Sequence, residues 1–234
     1  MRFGIGLLTG LVVLAVSAVA GPQLQIQEAT FDFGRVSQNR VLKHDFWLKS
    51  SGDDTLKVLR LWPGCGCTQM PLEDSTLAPG DSVPLTIVFN TGRFVGPVHK
   101  TPEISTNAGP DKVQLNIHAW VLTDTDDPGP LQVRPDRLDV SQFGEKVRRR
   151  ARFHVENRTD HDMKLVVTDS SGKSFDVELP GKVKAGETVE GLVTVHEDRL
   201  EDDFDESMTF RAFGPDESSY TLPVRRKYYG KKSR

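Results

Sequence analysis

Val113-Gln114-Leu115-Asn116-Ile117-His118-Ala119-Trp120-Val121 places an apolar residue at every second position without a break. Successive side chains of an extended chain point to opposite faces, so Val113, Leu115, Ile117, Ala119 and Val121 share one face of a strand and His118 and Trp120 the other. A strand with one buried face belongs to a sheet packed on something else. The same period recurs upstream. Leu42, His44, Phe46 and Leu48 share a face of a strand that ends at Ser50-Ser51-Gly52. Residues 83–89 form another, after Pro79-Gly80, where proline presets φ and glycine accepts the positive φ of a type II turn. Asn107-Ala108-Gly109-Pro110 is a further turn. About seven short strands in a hundred residues, punctuated by turn chemistry and with no long helical periodicity, predict a β-sandwich.

Residues 123–130 (TDTDDPGP) are polar and rich in Asp, Pro and Gly, which suits a linker better than a core. Beyond them the pattern repeats. Leu48-Lys49-Ser50-Ser51-Gly52-Asp53-Asp54-Thr55-Leu56-Lys57-Val58 aligns with Val155-Glu156-Asn157-Arg158-Thr159-Asp160-His161-Asp162-Met163-Lys164-Leu165. Leu77-Ala78-Pro79-Gly80-Asp81-Ser82-Val83 aligns with Val183-Lys184-Ala185-Gly186-Glu187-Thr188-Val189, and Phe33-Gly34 is echoed by Phe143-Gly144. The expected fold class is all-β, with two tandem immunoglobulin-like β-sandwich domains following a signal peptide. The boundaries are 21–122 for the first domain, 123–130 for the linker and 131–224 for the second domain.

Residues 1–20 read differently. Arg2 gives a positive start, residues 5–19 are small or apolar, and Ala18-Val19-Ala20 offers a small-x-small site for cleavage after Ala20. The apolar run is short for a stable membrane span. The expected location is therefore the periplasm or the extracellular medium. Residues 21–224 carry a net charge of −10, while the tail 225–234 (RRKYYGKKSR) holds six cations. An acidic body excludes nucleic acid as a partner, because neutralising phosphates requires clustered Lys and Arg. The tail is expected to fray in solvent, or to touch an anionic surface such as lipid head groups or the chain's own acidic stretch.

Only two cysteines exist, Cys65 and Cys67, in Pro63-Gly64-Cys65-Gly66-Cys67-Thr68-Gln69-Met70. Three roles compete. In extended chain the two thiols share a face with their Cα atoms roughly 6.5–7 Å apart, near the upper limit for a disulfide. With the Met70 thioether they would alternatively suit Cu(I), since soft ligands select soft ions. Their third role is structural, as two small side chains closing the end of the sandwich. Thiol exchange is a weaker reading, with no Cys-x-x-Cys at a helix N-terminus to lower a thiol pKa. His99 and His118 lie on the polar faces of their strands and His44 shares the face of Phe46, so nothing in the spacing converges them on the cysteines.

Phe31-Asp32-Phe33-Gly34, Ser50-Ser51-Gly52, Cys65-Gly66-Cys67-Thr68, Leu77-Ala78-Pro79-Gly80-Asp81 and Thr106-Asn107, in that order, resemble the bacterial family named domain of unknown function 1573. The resemblance covers roughly residues 25–122. It departs at Ser50-Ser51-Gly52, where the family usually has Asn-Thr-Gly. It implies an exported Ig-like domain and brings no established activity.

Residues 197–206 hold seven acids, without the ligand spacing of a calcium loop, and read as a solvated turn. Asn157-Arg158-Thr159 fits a glycosylation acceptor but reads as a turn. Trp47 and Trp120 fall opposite the apolar phase of their strands and are the candidate partner-binding residues. Nucleophile elbows, phosphate loops and zinc-hydrolase motifs are absent from the sequence. The expected function is a non-enzymatic binding or scaffolding protein, its partner another envelope protein and no cofactor required. The alternative is a Cu(I) or thiol-redox protein working through Cys65 and Cys67.

Overall fold

A computed structural model describes residues 21–123, 129–170 and 174–230. The expected leader, most of the linker and residues 231–234 of the tail lie outside these. Among the described residues every regular element is a strand, apart from one 3-10 turn at Glu197–Arg199. The all-β, tandem immunoglobulin-like architecture is present.

In the first domain Val41–Ser50 pairs antiparallel with Ser82–Asn90 over its whole length and is flanked by Leu24–Ile26, while Thr68–Gln69 caps the other side. The facing layer is a long broken hairpin, with Gly96–Lys100 and Glu103–Thr106 running against Val113–Gln114 and Asn116–Leu122. Leu56–Trp62 and Thr30–Ser37 border it. Leu42, Phe46, Leu48, Leu85, Ile87 and Phe89 meet Leu115, Ile117, Ala119 and Val121 between the layers, all buried in one cluster. Those are the alternating positions of the sequence. The type II turn also forms: Gly80 has φ +89° and the Asp81 amide donates to the Ala78 carbonyl at 3.0 Å.

The second domain has its own core, including Phe153, Val155, Leu165, Val193, Phe210 and Leu222. The internal repeat is visible as equivalent hydrogen bonds. The Ser50 amide donates to Asp81 at 2.9 Å and the Asn157 amide to Glu187 at 2.8 Å; Val58 donates to Ser75 at 2.8 Å and Leu165 to Gly181 at 3.0 Å. One match fails. Phe33 is fully buried, whereas Phe143 is 71% exposed and stacks on Tyr229, so the Phe-Gly echo does not mark equivalent positions. Asn157 is no acceptor for a glycan. It is buried, and its Nδ2 donates to the carbonyls of His161 and Lys184 at 2.8 and 3.0 Å, locking the turn.

Two expectations change. The tail does not begin at 225. Ser218–Arg226 is one strand, Arg226 is completely buried, and Tyr228 bridges to Gln142. The basic residues meet the chain's own acidic stretch: Lys227 Nζ lies 3.4 Å from Asp203, and the Tyr228 amide donates to Asp203 at 2.8 Å. Nor is residues 197–206 wholly a turn, because Phe204–Phe213 is a strand paired with Ser218–Arg226.

The larger difference is between the domains. Asp32 pairs with His118 and Arg35 with Trp120, so Phe33 and Gly34 together oppose the single residue Ala119, a β-bulge. The strand then meets the second domain, with Arg35 paired parallel to Tyr220. One sheet thus runs from the hairpin of the first domain through Thr30–Ser37 into Ser218–Arg226, Phe204–Phe213 and Met163–Ser170. Side chains fasten the seam. The Thr221 hydroxyl donates to the Phe33 carbonyl at 2.6 Å, and Ser207 Oγ accepts from the Lys43 amide and donates to the Lys43 carbonyl. His44, stacked on Phe31, lies 2.8 Å from Asp169, and Arg40 holds Asp136.

Burial works against a charge on Asp136. The hydrogen bonds from Arg40 and Ser37 and the charges of Arg40 and Arg137 outweigh it and hold the carboxyl below the usual carboxylate range. A depressed folded-state pKa contributes stability above the unfolded value of about 3.9, which is lost as pH falls through the folded value. Glu206, pushed up by burial, works in the opposite sense. Asp136→Asn is therefore expected to be about 1 kcal/mol less stable than the parent at pH 7 and to match it near pH 2. Urea unfolding at both pH values checks this.

Candidate functional site

Gly64 takes φ +78° and turns the chain at the cysteines. The segment is a tight turn rather than extended chain. This brings the Cα atoms of Cys65 and Cys67 to 5.3 Å and joins their sulfurs in a disulfide at 1.98 Å. Thr68 is buried beneath them, its hydroxyl 3.5 Å from the Cys65 sulfur, and the Asn90 amide donates to the Cys67 carbonyl at 2.8 Å. These contacts pin the Cys-Gly-Cys-Thr turn to the end of the Ser82–Asn90 strand. Met70 faces the core. The expected Cu(I) set of Cys65, Cys67 and Met70 is not assembled, because the two thiols bind each other and the thioether points inward.

The closed loop is tiny, so its effect on the unfolded chain is small. Cys65→Ser/Cys67→Ser is expected to lose only about 1–2 kcal/mol, read as a lower urea midpoint with an unchanged slope.

Trp47 and Trp120 are 49% and 48% exposed, as their phase requires. They do not form one patch. Trp47 stands on the outer face of the layer that holds Val41–Ser50, and Trp120 on the outer face of the layer that holds Asn116–Leu122. Trp120 instead forms a wall of a cleft of about 480 Å³ between the domains. Asp32, Arg35, Pro97 and His118 line it from the first domain, Asp216 and Glu217 from the second. The Arg35 guanidinium sits 5.5 Å from the centre of the Trp120 ring. The cleft's carboxylates already have partners: Asp32 accepts the Gly34 amide at 2.8 Å, Asp216 lies 3.8 Å from His161, and Glu217 holds Arg211.

His99 and His118 are directly opposite each other on neighbouring strands, their rings parallel to within 3° with centroids 4.4 Å apart. The sequence placed both on polar faces but could not pair them. Only the strand register does that.

These features define a tandem immunoglobulin-like β-sandwich protein with a cleft at the domain seam. Residues 24–121, the span of the first domain, match the family described as "Protein of unknown function (DUF1573)". No curated protein matches the chain. Among solved structures it is similar to a protein of unknown function from Porphyromonas gingivalis W83, at 12% identity and TM-score 0.35, over 86% of this chain and 99% of that one. It is also similar to the ASH/PapD-like domain 7 of human CEP192, at 10% identity and TM-score 0.36, over 53% of this chain and 99% of that one.

Proposed function

We propose that this protein is an exported, non-catalytic binding protein of the cell envelope that holds another envelope protein in the cleft between its two domains. One observation carries the reading: Trp120 stands half-exposed in a cleft whose two sides come from different domains tied by one sheet. A shared sheet fixes the two walls relative to each other, and a preformed site binds at lower ordering cost. An exposed tryptophan is a favoured anchor for a protein partner. The paired carboxylates suit recognition better than proton transfer. Export is supported by the leader-like residues 1–20 and by the joined cysteines, which suit an oxidising compartment.

The test compares the parent protein, Trp120→Ala and Trp62→Ala as bait in an envelope extract. Trp62 is equally exposed but lies outside the cleft. A discrete partner retained by the parent and Trp62→Ala, and weakened at least tenfold by Trp120→Ala, is expected. Equal capture by all three, or none, overturns the proposal.

A further inference from the structure

We infer that the Cys65–Cys67 disulfide is a thiol-exchange centre that takes two electrons from a dithiol on another exported protein. The inference draws on the proposed export for the class of partner and on nothing in the domain cleft. A bridge between residues two apart closes so small a loop that it constrains the unfolded chain little. What a disulfide adds to folding and how far the fold resists its reduction are two sides of one thermodynamic cycle. This pair is therefore easier to reduce than a structural disulfide that closes a long loop. Two backbone hydrogen bonds hold the turn without help from sulfur: the Asn90 amide donates to the Cys67 carbonyl at 2.8 Å, and the Thr68 amide to the Cys65 carbonyl at 3.4 Å. The reduced thiols should stay neighbours and the domain should stay folded.

Neither sulfur is sealed in. Cys65 and Cys67 are partly exposed, Gly64 and Gly66 beside them are exposed, and a Cβ added at Gly66 would meet no atom within 4 Å. Cys67 packs against the core of the first domain, a cluster that Cys65 does not join, so Cys65 offers the more accessible sulfur. The partner's thiolate bonds to Cys65 Sγ as the Cys65–Cys67 bond breaks, and the electron pair leaves on Cys67 Sγ. The attacking thiolate is the partner's, so this chain needs no activated cysteine of its own. The Thr68 hydroxyl lies 3.8 Å from the Cys67 sulfur and 3.5 Å from that of Cys65, within reach of either as it departs. A hydrogen bond to the charged form stabilises it. The partner's second thiolate then attacks the partner sulfur of the mixed disulfide, closing the partner's own bridge and releasing Cys65 Sγ. The two protons of the partner's thiols end on Cys65 and Cys67, and the two electrons that the partner loses reside on this pair. The exchange is stoichiometric, and its reverse with an oxidised disulfide compound restores the bridge.

The untagged full chain is equilibrated without oxygen in buffers of graded reduced-to-oxidised glutathione ratio, and its free thiols are alkylated and counted by mass. The pair is expected to be half-reduced within the range these buffers span, with the circular-dichroism spectrum of the folded protein retained. Thr68→Val keeps the side-chain shape without the hydroxyl and should slow reduction by glutathione about fivefold, the worth of one hydrogen bond. Thr68→Ser should restore the rate, which a purely structural role for Thr68 would not require. With oxidised glutathione, Cys67→Ser should form its mixed disulfide at Cys65 faster than Cys65→Ser forms one at Cys67. A pair that stays oxidised until urea unfolds the chain, a reduced chain that loses its fold, equal rates in Thr68→Val and the parent, or faster capture at Cys67 would overturn the inference. Failure here leaves the partner-capture result with Trp120→Ala untouched, so the two proposals are separable.

Discussion

Replacing Gly34 by valine is expected to lower stability by about 3 kcal/mol or more and to part the two domains. Gly34 has φ +64°, and a Cβ there would run into the Ser219 carbonyl of the neighbouring domain. Two costs therefore add. A β-branched residue resists left-handed backbone, and the parallel seam at Arg35 and Tyr220 must open to admit it. The Thr221 hydroxyl then loses the Phe33 carbonyl. Each domain retains its own core, so both should still fold. Calorimetry should show one transition for the parent and two, one of them earlier, for the variant. Small-angle scattering should show a longer particle. A variant that melts and scatters like the parent would mean that the continuous sheet does not form. Gly34→Ala should fall between the two.

Arg226→Met is expected to cost about 3–5 kcal/mol, more than any surface charge in this chain. The side chain is fully buried and works as a four-way donor. Nη1 donates to the Val140 and Arg148 carbonyls at 2.6 and 2.8 Å, Nη2 to Gln142 Oε1 at 3.1 Å, and Nε to the Leu200 carbonyl at 3.0 Å. Methionine fills much of the volume and leaves every one of these acceptors without its donor inside the protein. Arg226→Lys should lose less but not nothing, since a single ammonium cannot reproduce a planar fork. Arg225→Met is the control, because Arg225 is partly exposed and lies 3.8 Å from Asp205. It should change stability by less than about 1 kcal/mol. Urea midpoints rank the three variants.

Both substitutions fall where sequence reading was weakest. Arg226 sits among basic residues that look like a solvated tail, and nothing local distinguishes it from Arg225. Its burial follows from the strand continuing past residue 224 against Phe204–Phe213. Gly34 was visible as part of Phe-Asp-Phe-Gly, but the need for glycine there comes from Ser219, far away in the chain. The cysteines show the same limit. Spacing left disulfide, metal and structural roles open, and the turn at Gly64 decided among the geometries. His99 and His118 were legible as polar-face residues and became neighbours only through register.

Period-two alternation determined the strands, their buried faces, the exposure of Trp47 and Trp120, and the two separate cores, because burial of one face is a local property of an extended chain. The repeat of turn residues determined the two-domain plan for the same reason. Tertiary structure alone decided that the domains share a sheet, that Trp120 faces a cleft while Trp47 does not, and that two histidines stack. Those outcomes depend on which strand edges meet and in what register, and a backbone hydrogen bond between strands carries no side-chain signature along the sequence.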